Sequence, residues 1–364
     1  MLTGVNFGCH LIIAAALFLF HPAIADAAQN EKLEYLVEQL AEFSDGAAAF
    51  KKDGKWGFID STGKPFIQPS YKEVRMFREG YAPVRLEKKW GLIDKKGRYV
   101  INPRFEEGIG SFSEDMVAVK LNGMWGYADI KGRTVILPQF DEAKEFSEGR
   151  ASVRIKDKWG FIDKKGRFTI NPHFAEAGNF SNGTAPVRAG KNWGYVIKNG
   201  AWAIEPQFDK AEGFSDDVAV VQDDSKWGII NREGKFIVNP QFEGGKPFRG
   251  ELVAFKQGGL WGYANQKGIF TIKPSFSDAS AFSGEGIALV EKNQLVFYIN
   301  TSGDKVLGYS APKASAAPSI SSLIIVNPAD NPEADKWSPI IIKDPMTAYP
   351  LKTQDRWLPQ IISQ

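Results

Sequence analysis

The dipeptide Trp-Gly begins at residues 56, 90, 125, 159, 193, 227 and 261, at intervals of 34 or 35 residues. Four further columns keep the same stride. Thirteen residues before each Trp stands Phe43, Phe77, Phe112, Phe146, Phe180, Phe214 or Phe248, and seven after it Gly63, Gly97, Gly132, Gly166, Gly200, Gly234 or Gly268. A Pro follows at 69, 103, 138, 172, 206, 240 and 274, with an aromatic residue two positions later in every case. Coincident periods of this length mean one supersecondary unit copied in tandem, each copy burying a face that it cannot bury alone. An eighth, degenerate copy opens at Phe282 and has Val296-Phe297 in place of Trp-Gly and no Pro, as a capping repeat does.

The unit reads as β-structure. In the fourth copy Ala151, Val153 and Ile155 alternate with Ser152, Arg154 and Lys156, the period of a half-buried strand. Asp157-Lys158 makes a turn, and Trp159 and Phe161 share a face of a second strand. Asp163 to Gly166 forms a hairpin loop, because Asp caps its own turn and Gly accepts positive φ. Phe168 and Ile170 lie on a third strand that Pro172 ends, since Pro cannot donate to a ladder. The glycine after each Trp leaves room for something large and flat, and an aromatic ring is expected there. The pairs Trp56-Gly57, Trp90-Gly91, Trp125-Gly126, Trp159-Gly160, Trp193-Gly194, Trp227-Gly228 and Trp261-Gly262 are therefore read as repeat core. A buried Trp removes about 150–250 Å² from water, a gross gain of roughly 4–6 kcal/mol at about 25 cal/mol per Å².

The fold class follows as all-β: about eight 34-residue antiparallel β-meanders over 43–309. A four-stranded propeller blade usually takes about 40 residues or more. The short unit therefore favours an open curved superhelix, with a closed propeller-like ring as the alternative. Leu33, Leu36, Val37 and Leu40 have helical spacing within an acidic segment, so 26–42 is expected to be a short amphipathic N-terminal helix capping the first repeat.

The run Lys158-Trp159-Gly160-Phe161-Ile162-Asp163-Lys164-Lys165-Gly166, with Ile170-Asn171-Pro172, resembles the WG-repeat (KWG) family. The resemblance implies a β-repeat protein of the mostly bacterial kind, and a fold more than an activity. The Asp slot of the motif (Asp60, Asp94, Asp129, Asp163) becomes Ile197, Asn231, Asn265 and Asn300. Turn capping tolerates Asn, and Asn199-Gly200 can compensate for Ile197, whereas a ligand role for the column would not survive these changes.

Residues Leu11–Phe20 are uninterruptedly apolar, too short for a helix to span a bilayer at about 20 residues. With Ala23-Ile24-Ala25 they read as a signal peptide over 1–25 cleaved after Ala25, although residues 1–10 lack the usual Lys or Arg. The expectation is a secreted or periplasmic protein with no transmembrane segment after cleavage. Ser310–Ser322 reads as an Ala/Ser/Pro-rich linker, and 323–364 as a tail of extended segments containing Trp337 and Trp357.

Composition narrows the chemistry. Cleavage would remove Cys9, the only Cys, and leave His173 as the only His. Disulfides and Cys/His metal centres are thereby excluded. No cofactor is expected: there is no phosphate-cradling Gly loop and no calcium loop. Carboxylates are plentiful, but none stands out from the repeat, and no enzyme is expected. A net charge of +2 without a recognition motif gives no case for nucleic acid. What remains is a non-enzymatic scaffold for protein–protein interaction. The alternative is a module for cell-envelope glycan or anionic polymer, with the Trp column as a sugar platform and the hairpin cations (Lys95-Lys96, Arg98, Lys164-Lys165, Arg167) as a basic ladder.

Overall fold

The computed structural model describes residues 39–293 and 295–310, with side chains to residue 307. The proposed signal peptide, the linker, the tail and residues 26–38 of the proposed helical cap lie outside the described residues. Inside them, Gln39–Leu40 is a strand, so the expected helix does not reach 42.

The described chain forms eight four-stranded antiparallel sheets with strands in sequence order. The sheets span 39–71, 73–105, 108–140, 142–174, 176–208, 210–242, 244–276 and 278–310, and are numbered here as blades 1 to 8. Blade 4 is typical, with strands Glu142–Ala143, Ala151–Ile155, Lys158–Ile162 and Phe168–Phe174. The meander anticipated from sequence supplies the last three. The first comes from the connection that had read as a return loop. At two residues in most blades it is short enough to fit a fourth strand into the repeat.

The array is a closed ring, an eight-bladed β-propeller, and not the open superhelix favoured from repeat length. The apolar core is divided among the blade junctions, and one of its clusters joins Leu40, Phe43, Phe50 and Ile59 of blade 1 to Leu289, Val296, Tyr298 and Leu307 of blade 8. Contacts repeated around the ring recur at this closure. Tyr127, Tyr195 and Tyr263 each donate a hydroxyl hydrogen bond to a carbonyl of the following blade, at Lys144, Glu212 and Ser280. Tyr298 does the same to Ala41. Edge-on aromatic pairs cross the junctions at Phe58–Phe77, Tyr127–Phe146 and Phe161–Phe180, with centroids 4.6–4.9 Å apart, and Tyr298–Phe43 closes the ring at 4.8 Å. The degenerate last repeat is thus a working blade rather than a frayed cap.

The glycine of each Trp-Gly pair makes room for something other than the aromatic ring expected there. Trp159 faces Phe174 and Phe161 faces Ile170, so Asn171, Pro172 and His173 all stand opposite Gly160. A Cβ on Gly160 would lie 2.6 Å from the Ile170 carbonyl oxygen and 2.7 Å from the Pro172 nitrogen. Backbone, not an aromatic ring, occupies the space, and the same approach recurs at Gly57, Gly91, Gly126, Gly194, Gly228 and Gly262. Pro172 does not end its strand. It sits in the bulge of a sheet-edge strand, where a missing N–H costs no ladder bond.

Candidate functional site

Six of the seven column tryptophans are buried, and Trp193 is partly so. Basic side chains cover several of them: Lys144 Nζ lies 5.0 Å from the centre of Trp159 and Lys246 Nζ 5.2 Å from that of Trp261. The structure places one Trp-Gly pair in each of blades 1 to 7 and gathers them into no common surface. His173 is exposed on the outer strand of blade 4, where its Nδ1 lies 2.7 Å from the Asn171 carbonyl oxygen. Among the described residues no group of three or more His, Cys, Asp or Glu could hold a metal ion, and no helix is long and apolar enough to cross a membrane.

The hairpin cations are largely engaged. Arg98, Arg133 and Arg167 each pair with the Asp four residues earlier, Asp94, Asp129 and Asp163. Burial alone would raise these carboxyl groups. The Arg side chain and two backbone N–H groups outweigh it and hold them below the usual carboxylate range. Asn231, Asn265 and Asn300 accept the same pair of turn N–H groups, and Asn199 accepts one in blade 5. Lys95, Lys164 and Lys198 reach back to Asp45, Glu114 and Glu148 of the preceding blade. These acidic partners sit in the turn between first and second strands.

That turn carries a second repeated bond. A carboxylate of one blade accepts a turn N–H of the next: Asp45 from Gly80 at 2.7 Å, Glu79 from Glu114 at 2.9 Å, Glu114 from Gly149 at 3.0 Å and Glu148 from Gly183 at 3.0 Å. Glu285 of blade 8 accepts from Gly46 of blade 1 at 2.6 Å. This clasp closes five junctions. Among the described residues it is absent from 5/6, 6/7 and 7/8.

Turn chemistry explains where it stops. In blades 1 to 5 both central residues of the turn are left-handed, as in Glu148-Gly149 (φ 53° and 76°) and Asn182-Gly183 (φ 50° and 84°). That is the type I′ pattern, which favours Gly second. In blades 6 and 7 only the first residue is left-handed, Asp216 (φ 51°) and Gly250 (φ 75°). The sequences there are Asp216-Asp217 and Gly250-Glu251. The change of type turns over the central peptide, whose N–H serves most of the clasps.

A cavity of about 390 Å³ opens at this sector. Its walls are Asn179, Ser181, Asn182 and Pro186 of blade 5, Ala211 to Ser215 of blade 6, and Pro247, Phe248 and Arg249 of blade 7. At the equivalent place in blade 2, Arg78 pairs with Glu145 two blades away, a reach available only near the centre of a ring. Ser181 and Asn182 already bond the Phe214 carbonyl. Sequence reasoning missed these residues. The available signal was an aperiodic one: Asn182 replaces the clasp acid, and Arg249 replaces the Ser found after Phe in six of the eight repeats.

Fold and site together define a propeller scaffold with one unclasped sector. Eight consecutive matches to the model of the WG containing repeat cover residues 30–295, and the chain belongs to that family. No curated protein matches it. A solved structure described as the eukaryotic initiation factor is similar, with 8% identity, 75% of this chain and 89% of that one covered, and a TM-score of 0.53. Hsv2p of Kluyveromyces lactis is less so, with 8% identity, 73% and 93% coverage, and a TM-score of 0.43. At these identities the likeness concerns fold alone.

Proposed function

We propose that this chain is a non-enzymatic scaffold that binds a protein partner at the turns of blades 5 to 7, and that it works as a secreted or periplasmic protein. The observation that carries the binding reading is the coincidence of the missing clasps with the cavity. At five other junctions a carboxylate holds the turn N–H of the next blade; here that bond is missing, and Asn182, Asp216 and Arg249 are exposed. The location rests on the apolar run and small-residue site ending at Ala25. Envelope glycan finds less support, because the indoles that would stack on sugar are buried and the hairpin cations are mostly paired.

A photo-crosslinking residue at Asn182, compared with one at the exposed Leu137 on the blade 3 edge, tests the reading in the native host. A discrete protein adduct from position 182 alone supports it. Adducts from neither position, or equally from both, overturn it. Sequencing the N-terminus of the mature chain checks the location, with Asp26 as the expected first residue.

A further inference from the structure

We propose that the cavity of blades 5 to 7 takes a peptide carboxylate, an Asp or Glu side chain or a chain end, with Arg249 as its anchor; this rests on that sector being the binding surface. The fold itself shows which group suits these loops. At five junctions the partner of a turn N–H is a carboxylate from the neighbouring blade. The slot after the column Phe holds Arg in only two blades, at Arg78 and Arg249. Arg78 uses it to hold the carboxylate of Glu145 at 2.9 Å, with only 4% of that acidic side chain exposed. Arg249 is exposed at the cavity wall and makes no ion pair among the described residues.

A guanidinium presents parallel N–H groups that match a carboxylate in two-point fashion. Around it the cavity offers Asn179 and Ser215 for main-chain amides and the partly exposed ring of Pro247 for an apolar side chain. Phe214 and Phe248 are buried, so no flat aromatic face is open for a sugar. Glu212 also lines the cavity and opposes an incoming anion, which gives the inference a second handle of opposite sign.

The test uses fluorescein-labelled Gly/Ser/Ala peptides and the full chain, read by fluorescence anisotropy. One peptide carries an internal Glu and an amidated end, one a free carboxyl end without Glu, and one neither; a galacturonate oligomer is the sugar arm. Binding is expected for a carboxylate peptide and not for the neutral one, and the first two peptides tell side chain from chain end. Arg249→Ala should weaken it by about tenfold or more, Arg249→Lys by less, and Glu212→Gln should strengthen it. Arg249 is exposed, so an unchanged melting curve establishes that the variant folds. No carboxylate peptide binding, binding indifferent to Arg249→Ala, or binding of the galacturonate oligomer alone overturns the proposal. Protein adducts at position 182 with any of these results would leave the binding surface standing and remove only its carboxylate anchor.

Discussion

Blades 1 to 5 and blades 5 to 8 share strand order and core, with the bulge opposite the column Gly in all but blade 8, and differ in how their turns are joined. On the first arc each turn is held by a carboxylate on the next blade's N–H and, at 1/2, 3/4 and 4/5, also by a basic hairpin residue from that blade. Glu148 shows both, accepting from Gly183 and pairing with Lys198. On the second arc the carboxylate bond is gone, and at 5/6 Arg232 bonds the Asn182 carbonyl instead, at 2.7 Å. The junctions therefore hold without the carboxylate clasp, through core packing and, at 5/6 and 7/8, the Tyr hydroxyl bonds; Tyr195–Phe214 at 4.7 Å lies within the 4.6–4.9 Å of the junction pairs on the clasped arc. The clasps are a second layer on one face, and the repeat can drop them locally without losing the blade. A scaffold gains a recognition surface in this way.

The comparison makes its strongest claim about what the arcs have in common. Trp159→Ala in blade 4 and Trp227→Ala in blade 6 should each cost about 3–5 kcal/mol in chemical denaturation, since both indoles are buried. A much smaller loss at Trp227 would mean that the unclasped arc is loosely packed throughout. Next come Gly160→Ala and Gly228→Ala. Each Cβ would press on backbone at 2.5–2.6 Å, and overpacking of this kind costs about 1–3 kcal/mol. Equal losses in the two arcs are expected.

The clasp itself separates them. Glu148→Ala should lower stability by about 1 kcal/mol, the loss of a charge-assisted bond reduced by its partial exposure. Asp216→Asn, which removes the charge in the same slot of blade 6 and keeps a residue that tolerates its left-handed backbone, should stay within about 0.5 kcal/mol. Equal effects would break the distinction between arcs. Tyr298→Phe, which removes the hydroxyl bond across the closure, should cost about 1 kcal/mol and match Tyr127→Phe. No loss at Tyr298 would argue that the ring opens at 8/1.

These features were unequally legible in the sequence. Trp, Gly, Pro and Phe columns exposed the repeat, its β character and its family, because residues that pack or bend backbone recur wherever the blade recurs. Closure was not legible. It depends on Tyr298 meeting Ala41 across the whole array, and repeat length misled because a two-residue strand such as Glu142–Ala143 has no period to display. The reason for the glycine was also hidden, since a bulge around Pro172 is a matter of register. The candidate site lay in departures from the repeat, Asn182, Asp217 and Arg249, and a reading that sought the consensus passed over them.

The smallest expected effect concerns acid. Asp94, Asp129 and Asp163 lie on the clasped arc, while the same slot in blades 6 to 8 holds Asn231, Asn265 and Asn300. The folded carboxyl groups sit below the model-compound value of 3.8. A depressed acid adds stability that is complete above its unfolded value and is lost as pH falls through the folded one. Replacing all three by Asn keeps the turn bonds that Asn already makes elsewhere and removes only the charge that meets Arg98, Arg133 and Arg167. The melting temperature of the variant should therefore fall slightly below that of the parent at neutral pH, and the two should converge as acid protonates the folded carboxyl groups. In the parent, hydrogen exchange at the blade 2 to 4 hairpins should quicken on acidification relative to blades 6 to 8, once corrected for intrinsic rates. A gap in melting temperature that persists unchanged in acid would show that the Asp column acts through shape rather than charge, and that acid does not distinguish the arcs.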